Sequence, residues 1–447
     1  MNPWIHDFAA FDFWLTPLGL LTLAALLKER GCRVSLVDCL NRFHPNLSSP
    51  MKVAWDGRGP FLKTPLEWED VMPPGVIQPP DIPNAFCRYG IEPAWLERDL
   101  KHLEATQGRP DLILVTSLMT YWASGATETI AALKKVFPNV PVVLGGKYPS
   151  LCPDHARRHS GADAIVQGPG EPELVNLVKT HTGHDLPPIQ DPQAVVGPDL
   201  SLVPRANGKI THAPLLTSRG CPFSCEYCAS SVLEPGMRQR SPEAVFQEIQ
   251  EWHGKYGIRN FALYDDAFLV NAEQMAFPLM ERIIAAGLEL NFHTPNALHI
   301  REISPKAADL MFRSGFKTIR MGLETTDFSR DRHHDIKVKP GEFTRALSAL
   351  KRAGFTHDQV GAYLLCGLPE QDPEQVKASM AEVARLDILP VLAHYTPIPR
   401  TPMWETALEH ARFDLTQHPV FTNNSLAPCT PDPDRRKCIS QLKKIRF

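Results

Sequence analysis

Apolar positions along the first 180 residues switch between a helical and a strand period, and the switching predicts a layered α/β unit. A helical apolar stretch over 17–31 stops at Gly31, and a short run over 33–38 reads as a buried strand. Further apolar runs predict strands over 111–116, 140–146 and 164–166, with helices over 126–137 and 171–179. Short strands alternating with helices give a doubly wound, Rossmann-like parallel sheet, with its ligand crevice at the carboxyl ends of the strands. Ser117, the pair Gly145 and Gly146, and the turn formed by Gly168, Gly170 and Glu171 stand at those ends. Residues 41–110 interrupt the pattern with a proline-rich insertion holding one helix, over 93–105. Its aromatics, Trp55, Phe61, Trp68, Phe86, Tyr89 and Trp95, need burial, so the insertion is expected to pack as a lid on the crevice. The first domain is thus 1–180.

Residues 181–213 carry prolines and few apolar runs, which marks a linker. Beyond it strand and helix repeat about six times. Strands are expected to begin at Leu215, Asn260, Glu289, Lys317, Gln359 and Ile388, with helices near 241–256, 272–287, 304–314, 342–353 and 372–386. This repetition predicts a partial TIM-like (βα)6 barrel over 214–405, with its active site at the carboxyl ends of the strands. A C-terminal extension, 406–447, is expected to be loosely packed from Pro428 onward.

Composition narrows the function. A formal net charge of -3 over 447 residues gives no reason to expect nucleic acid. The apolar stretch from Phe13 to Leu27 is broken by Pro17, followed by Lys28 and Arg30, and too short to span a bilayer. No membrane is therefore expected. Scattered cysteines among the ten fit a reducing compartment, the cytoplasm.

Three of those cysteines are not scattered. Cys221, Cys225 and Cys228 lie in one short loop just after the first barrel strand. Three soft ligands on one loop suit an iron–sulfur cluster and leave its fourth iron without a cysteine. A zinc knuckle is the bland alternative, but a structural zinc site wants four closed ligands and the loop offers no fourth. The Cys-x3-Cys-x2-Cys spacing, with Tyr227 before the last cysteine, resembles the signature of the radical S-adenosylmethionine (radical SAM) enzymes. That resemblance implies a 4Fe-4S cluster whose open iron is chelated by SAM. Other strand ends agree: Asp265 and Asp266 after the second, Gly322-Leu-Glu324 on the fourth, and Gly367-Leu-Pro369 after the fifth. By the same resemblance Glu324 would bind the SAM ribose hydroxyls and Tyr227 would pack beside the adenine. Asp266 and Arg240 would meet the SAM amino and carboxylate groups.

The strand ends of the first domain, Gly145-Gly146 and Gly168-Pro-Gly170-Glu171, resemble the cobalamin-binding domain of one radical SAM subclass. The glycines would let backbone approach a tetrapyrrole or its nucleotide tail. The resemblance departs at Asp38: no histidine stands two residues later, and His44 is six residues on. Cobalamin would then bind without a lower histidine ligand, or the domain has lost it. The implied reaction is reductive cleavage of SAM to a 5'-deoxyadenosyl radical, followed by cobalamin-dependent methyl transfer to an unactivated position of a small-molecule substrate. A reductant such as flavodoxin or ferredoxin would supply the electron. Two alternatives stay open: a cobalamin-independent radical cyclisation, rearrangement or other transfer, and an iron–sulfur electron carrier or sensor. Cys366, near the fifth strand end, reads as a small buried thiol, and His293 and His299 receive no role.

Overall fold

The computed structural model describes residues 1–49, 51–82, 85–191, 194–328, 334–335 and 337–445. Contacts divide the chain into two compact units: Met1–Ile210 with Leu415–Leu426, and Thr211–Asp414 with Ala427–Phe447.

In the first unit the short strands arise where apolar runs alternate their side chains between two helical layers. A small antiparallel sheet is made by β1 (Ile5–Asp7), β2 (Lys63–Pro65) and β3 (Cys87–Tyr89), with β3 in the middle. A parallel sheet is made by β4 (Ile113–Val115), β5 (Val142–Leu144) and β6 (Ala164–Ile165), in that order. Ile113 and Val115 turn toward Leu96, Ile130 and Leu133 of helices Pro93–Gln107 and Ala123–Val136. Leu112 and Leu114 turn the other way, toward Leu26, Leu27, Leu174 and Val178 of helices Leu18–Glu29 and Leu174–Thr182. One helical layer on each face is the doubly wound arrangement.

Three expectations change here. Among the described residues the run 33–38 joins no ladder beyond the parallel bridge Asn2↔Asp38. The backbone beside it is only Met1–Asn2, so only its end, around Val37 and Cys39, is bonded. The insertion is not a simple lid, because it builds the antiparallel sheet with the chain start. There Phe8, Trp68 and Phe86 pack ring on ring, and Arg88 of β3 donates to Glu128 of the helix Ala123–Val136 at 2.9 Å. Trp55 is 66% exposed and takes no part in that core. Residues 415–426 return to the first unit, where Asn423 Nδ2 donates to buried Asp7 at 2.8 Å and Thr422 meets Thr120.

The second unit is a six-stranded, all-parallel sheet. Its strands are β7 (Ala213–Leu215), β10 (Asn260–Leu263), β11 (Asn291–His293), β12 (Phe316–Glu324), β13 (Val360–Cys366) and β14 (Leu389–His394). They pair in sequence order from β7 to β14, with no ladder between the two ends among the described residues. The first strand ends at Leu215 rather than beginning there. Phe261, Phe292 and Phe316 stack across three neighbouring strands at 5.6 and 5.2 Å, filling one side of the sheet with apolar area. Helices between the strands start on caps the sequence supplies: Ser241, Ser304 and Asp372 each accept from an N–H in the first turn, with proline next. His293 is a satisfied core residue, 3.0 Å from Thr318. The tail is firmer than expected. Its helix Pro433–Leu442 is capped by Asp432 and buries Ile439 and Leu442.

Candidate active site

Just beyond β7, a two-stranded ribbon of β8 (Ser218–Arg219) and β9 (Arg238–Gln239) brackets the cysteine loop. Gly220 lets the ribbon close: its φ is +80°, and a Cβ there would lie 1.9 Å from the Gly236 carbonyl oxygen. Asp265, at the end of β10, braces the same entrance. It is buried and accepts from Thr217 N at 3.1 Å, Thr217 Oγ1 at 2.5 Å and Ser218 Oγ at 2.7 Å. Of the two adjacent aspartates, Asp265 is therefore a buried anchor. Asp266 is half-buried and close enough to Cys221 to act on its charge.

Cys225 is buried, and burial pushes its thiol up to about 11; burial raises Cys221 as well. Cys228 Sγ donates to Ser230 Oγ at 3.2 Å and accepts from Ser230 N at 3.5 Å. Cys221 Sγ is 3.5 Å from His299 Nε2, and the His299 ring rests on Phe223. The loop is pinned at Glu226, whose N–H donates to the His334 carbonyl and whose carboxylate meets His334 Nδ1 at 2.8 Å. Among the described residues no three His, Cys, Asp or Glu side chains gather as ligands of a single ion. A thiol-only donor set on one loop, with the Ser230 N–H aimed at sulfur, fits an iron–sulfur cluster, whose binding must displace the thiol protons.

Glu324 ends β12 with φ at +67°, unusual for a side-chain-bearing residue, and is buried. Its Oε1 takes a hydrogen bond from Lys337 Nζ at 2.6 Å. The same ammonium lies 5.4 Å from the centre of the Tyr227 ring. Burial opposes the Lys337 charge, yet Glu324 and Cys225 hold its pKa above the ordinary lysine value. Tyr227 Oη is buried beside Cys225, and burial drives its pKa far up. The geometry thus gathers Cys225, Tyr227, Glu324 and Lys337. It does not bring Arg240 to them: that guanidinium is bidentate to Glu248 at 3.1 and 2.7 Å and donates to the Leu216 carbonyl. Lys337 was not visible in the sequence. Its one signal is a basic residue in the loop after Gly322-Leu-Glu324, indistinguishable there from a surface lysine.

The glycine turns of the first unit divide by role. Gly146 has φ at +96°, and a Cβ would meet the Ser117 carbonyl oxygen at 2.3 Å, so its small size serves the protein's own packing. Gly170 would press a Cβ on Leu23 at 3.2 Å, whereas Gly145 and Gly168 have nothing within 4 Å of that position. Ser150 Oγ ties the two turns, donating to Gly146 O at 2.7 Å and accepting from Gly168 N at 2.8 Å. Gly145 and Gly168 leave open strand ends where backbone can approach a flat group. His44 is not free to serve it, being buried, stacked on Trp95 and 2.9 Å from Asp99. His155 is a histidine the sequence reading passed over. Its Nδ1 is 2.6 Å from Tyr148 Oη, and its Nε2 is buried without a partner among the described residues.

Residues 215–383 match the radical SAM superfamily and residues 98–178 the B12 binding domain. An uncharacterised methyltransferase of Pyrococcus horikoshii is 28% identical over 67% of this chain and 70% of its own length. The anaerobic magnesium-protoporphyrin IX monomethyl ester cyclase of Cereibacter sphaeroides is 25% identical over 70% of this chain, which spans only 56% of that protein. Among solved structures, the radical S-adenosylmethionine methyltransferase TsrM from Kitasatospora setae shares the fold. With tryptophan and aza-SAM bound it matches with a TM-score of 0.57 and 20% identity, over 70% of this chain and 68% of that one. A second TsrM structure, with cobalamin and a [4Fe-4S] cluster bound, matches with a TM-score of 0.55, 18% identity, over 71% of this chain and 68% of that one.

Proposed function

The chain belongs to the radical SAM superfamily, in the subclass with a B12-binding domain ahead of the radical domain, and we propose that it methylates an unactivated carbon of a small-molecule substrate. The observation that carries this reading is the pairing in one chain of the three-cysteine loop with the open strand ends at Gly145 and Gly168. When bound, the cluster and SAM supply the radical that activates the substrate carbon, and cobalamin supplies the methyl group.

The protein's part is to hold and aim these groups. Cys221, Cys225 and Cys228 would hold the cluster. Tyr227 would pack beside the adenine, and Glu324 would accept from the ribose hydroxyls. Lys337 rather than Arg240 would meet the SAM carboxylate, since Lys337 lies beside Tyr227 and Glu324 whereas Arg240 is held away from them by Glu248. Asp266 would take the SAM amino group. Burial of Cys225, Glu324 and Lys337 strengthens the charged contacts that these three make. The electron would come from flavodoxin or ferredoxin in the cytoplasm; among the described residues no helix is long and apolar enough to cross a membrane.

A second reading is a radical ring closure or rearrangement without cobalamin: the name of the cyclase relative favours the ring closure, and the absence of a histidine two residues after Asp38 favours the loss of cobalamin. Anaerobic reconstitution with iron, sulfide and hydroxocobalamin, then desalting, separates the two. The methyltransferase reading expects retained cobalamin absorbance and 5'-deoxyadenosine on addition of SAM and dithionite. Cleavage without retained cobalamin supports the second reading, and no cleavage at all overturns both.

A further inference from the structure

In the second unit, the segment 298–301 is bonded both to the cysteine loop and to the surroundings of the Glu324–Lys337 pair. Leu298 fixes it to β12, the strand that ends in Glu324. The Leu298 N–H donates to the Arg320 carbonyl at 2.7 Å, and its carbonyl accepts from Gly322 N at 3.1 Å. The bridge Leu298↔Met321 is parallel. Leu298 and Ile300 are buried, which anchors the segment, while His299 and Arg301 reach the cysteine loop.

These two side chains make the connection. His299 Nε2 lies 3.5 Å from Cys221 Sγ, and the same ring bonds the backbone of Asp266. The Arg301 guanidinium lies 5.2 Å from the centre of the Phe223 ring, two positions after Cys221. Its Nε donates to the Lys337 carbonyl at 2.8 Å. Lys337 in turn bonds Glu324, and the pair sits over Gly322, where a Cβ would lie 3.1 Å from Glu324 Oε1 and 3.5 Å from Lys337 Nζ. Gly322 is the residue whose N–H Leu298 accepts, so the path returns to its start. Glu226 also joins the cysteine loop to the later one, at His334, but the Arg301 bond lands on Lys337 itself.

A planar guanidinium suits this place because it can lie on a ring and donate from Nε in one fixed geometry, which a lysine ammonium cannot. Groups that share one ligand must also keep their spacing, since a shift of about 1 Å can cost about a hundredfold in rate. We propose that Arg301 is a positioning residue: it sets the distance between the cysteine loop and Lys337, so that the cluster and SAM are held in one geometry. This rests on the function proposed above, and it adds a residue that touches neither cofactor. His299 does the same for the spacing between Cys221 and Asp266.

The test uses the anaerobically reconstituted protein, its cluster reduced with dithionite and titrated with SAM while the electron paramagnetic resonance spectrum is followed. Arg301→Leu should keep its iron, its sulfide and the spectrum of the reduced cluster. The SAM concentration that half-converts that spectrum should rise by about tenfold or more. Arg301→Lys keeps a cation over Phe223 but loses the fixed Nε donor, so it should show a rise of about threefold. It decides the matter alone if Arg301→Leu does not fold. In the cluster-free proteins, deuterium uptake over 337–341 should be faster in Arg301→Leu than in the parent. Unchanged SAM dependence in a folded variant overturns the proposal. Loss of iron together with the signal overturns it as well, because Arg301 would then only support the cysteine loop. A parent spectrum that SAM does not alter overturns this proposal and the function on which it rests together.

Discussion

The two candidate sites are built from opposite materials. In the second unit, thiols, carboxylates and a buried ammonium are gathered and held by named bonds before any cofactor is considered: Asp265 to Thr217, Lys337 to Glu324, Cys228 to Ser230. In the first unit Gly145 and Gly168 themselves offer backbone and room. The difference matches what each would hold. Reactive sulfur and iron need ionic partners in a dry site, whereas a large neutral ring needs space and shape. It follows that the second site should fail one charge at a time, and the first one side chain at a time.

The largest effect expected is at the cluster. Cys225→Ala should abolish both the iron–sulfur absorbance and all formation of 5'-deoxyadenosine, because two thiolates cannot hold the cubane. Cys87→Ala and Cys152→Ala should leave both intact, and an unchanged spectrum in Cys225→Ala would refute the assignment. Next comes a contrast between two neighbouring glycines. Gly146→Val meets the Ser117 backbone and a left-handed φ together, and should lower stability by about 3–5 kcal/mol. Gly145→Val should leave the unfolding midpoint nearly unchanged while removing cobalamin retention after desalting. Should both variants melt alike, the separation of packing glycine from spacing glycine fails.

A smaller loss is expected at the SAM contacts. Glu324→Gln and Lys337→Met should each weaken SAM binding by about 1.5–3 kcal/mol, measured by calorimetry, with iron content unchanged. Arg240→Lys should barely alter SAM affinity; a loss equal to that of Lys337→Met would return Arg240 to the site. The smallest effect is on pH. Burial pushes His155 down to about 4 and His418 down to about 3, from an ordinary 6.5. Both are neutral when folded at pH 7, so protons taken up by the unfolded chain below pH 6.5 draw the equilibrium away from the fold. Stability should fall as pH drops from 6.5 toward 4, by up to about 2 kcal/mol per histidine at pH 5. Thermal melts of His418→Gln against the parent should show a shallower decline.

What the sequence revealed follows the same division. Cys221, Cys225 and Cys228 were legible because a cluster's spacing is written within one loop. The strands of the second unit were legible because parallel strands buried on both faces are continuous apolar runs. Glu324 came with them, as a strand end. Lys337 was not legible, since its partner is thirteen residues away across a loop. Nor could sequence say which of Asp265 and Asp266 turns inward, because neighbours at a strand end point to opposite sides. The antiparallel sheet escaped for a different reason: its three strands are three residues each, too short for a period of two to register. Gly146 shows the limit most plainly. A glycine's presence is visible in sequence, but what it makes room for is not.

The return of residues 415–426 to the first unit has a consequence for the order of synthesis. Asp7 is synthesised well before its partner: one of its buried bonds is made by Asn423, 416 positions later. His418, packed against His155, and Thr422, beside Thr120, arrive equally late. Domains generally fold as they emerge, amino-terminal first. Here the earlier unit waits for residues 415–426, which emerge only after Thr211–Asp414 of the other unit, so through most of elongation it is a core awaiting one more piece.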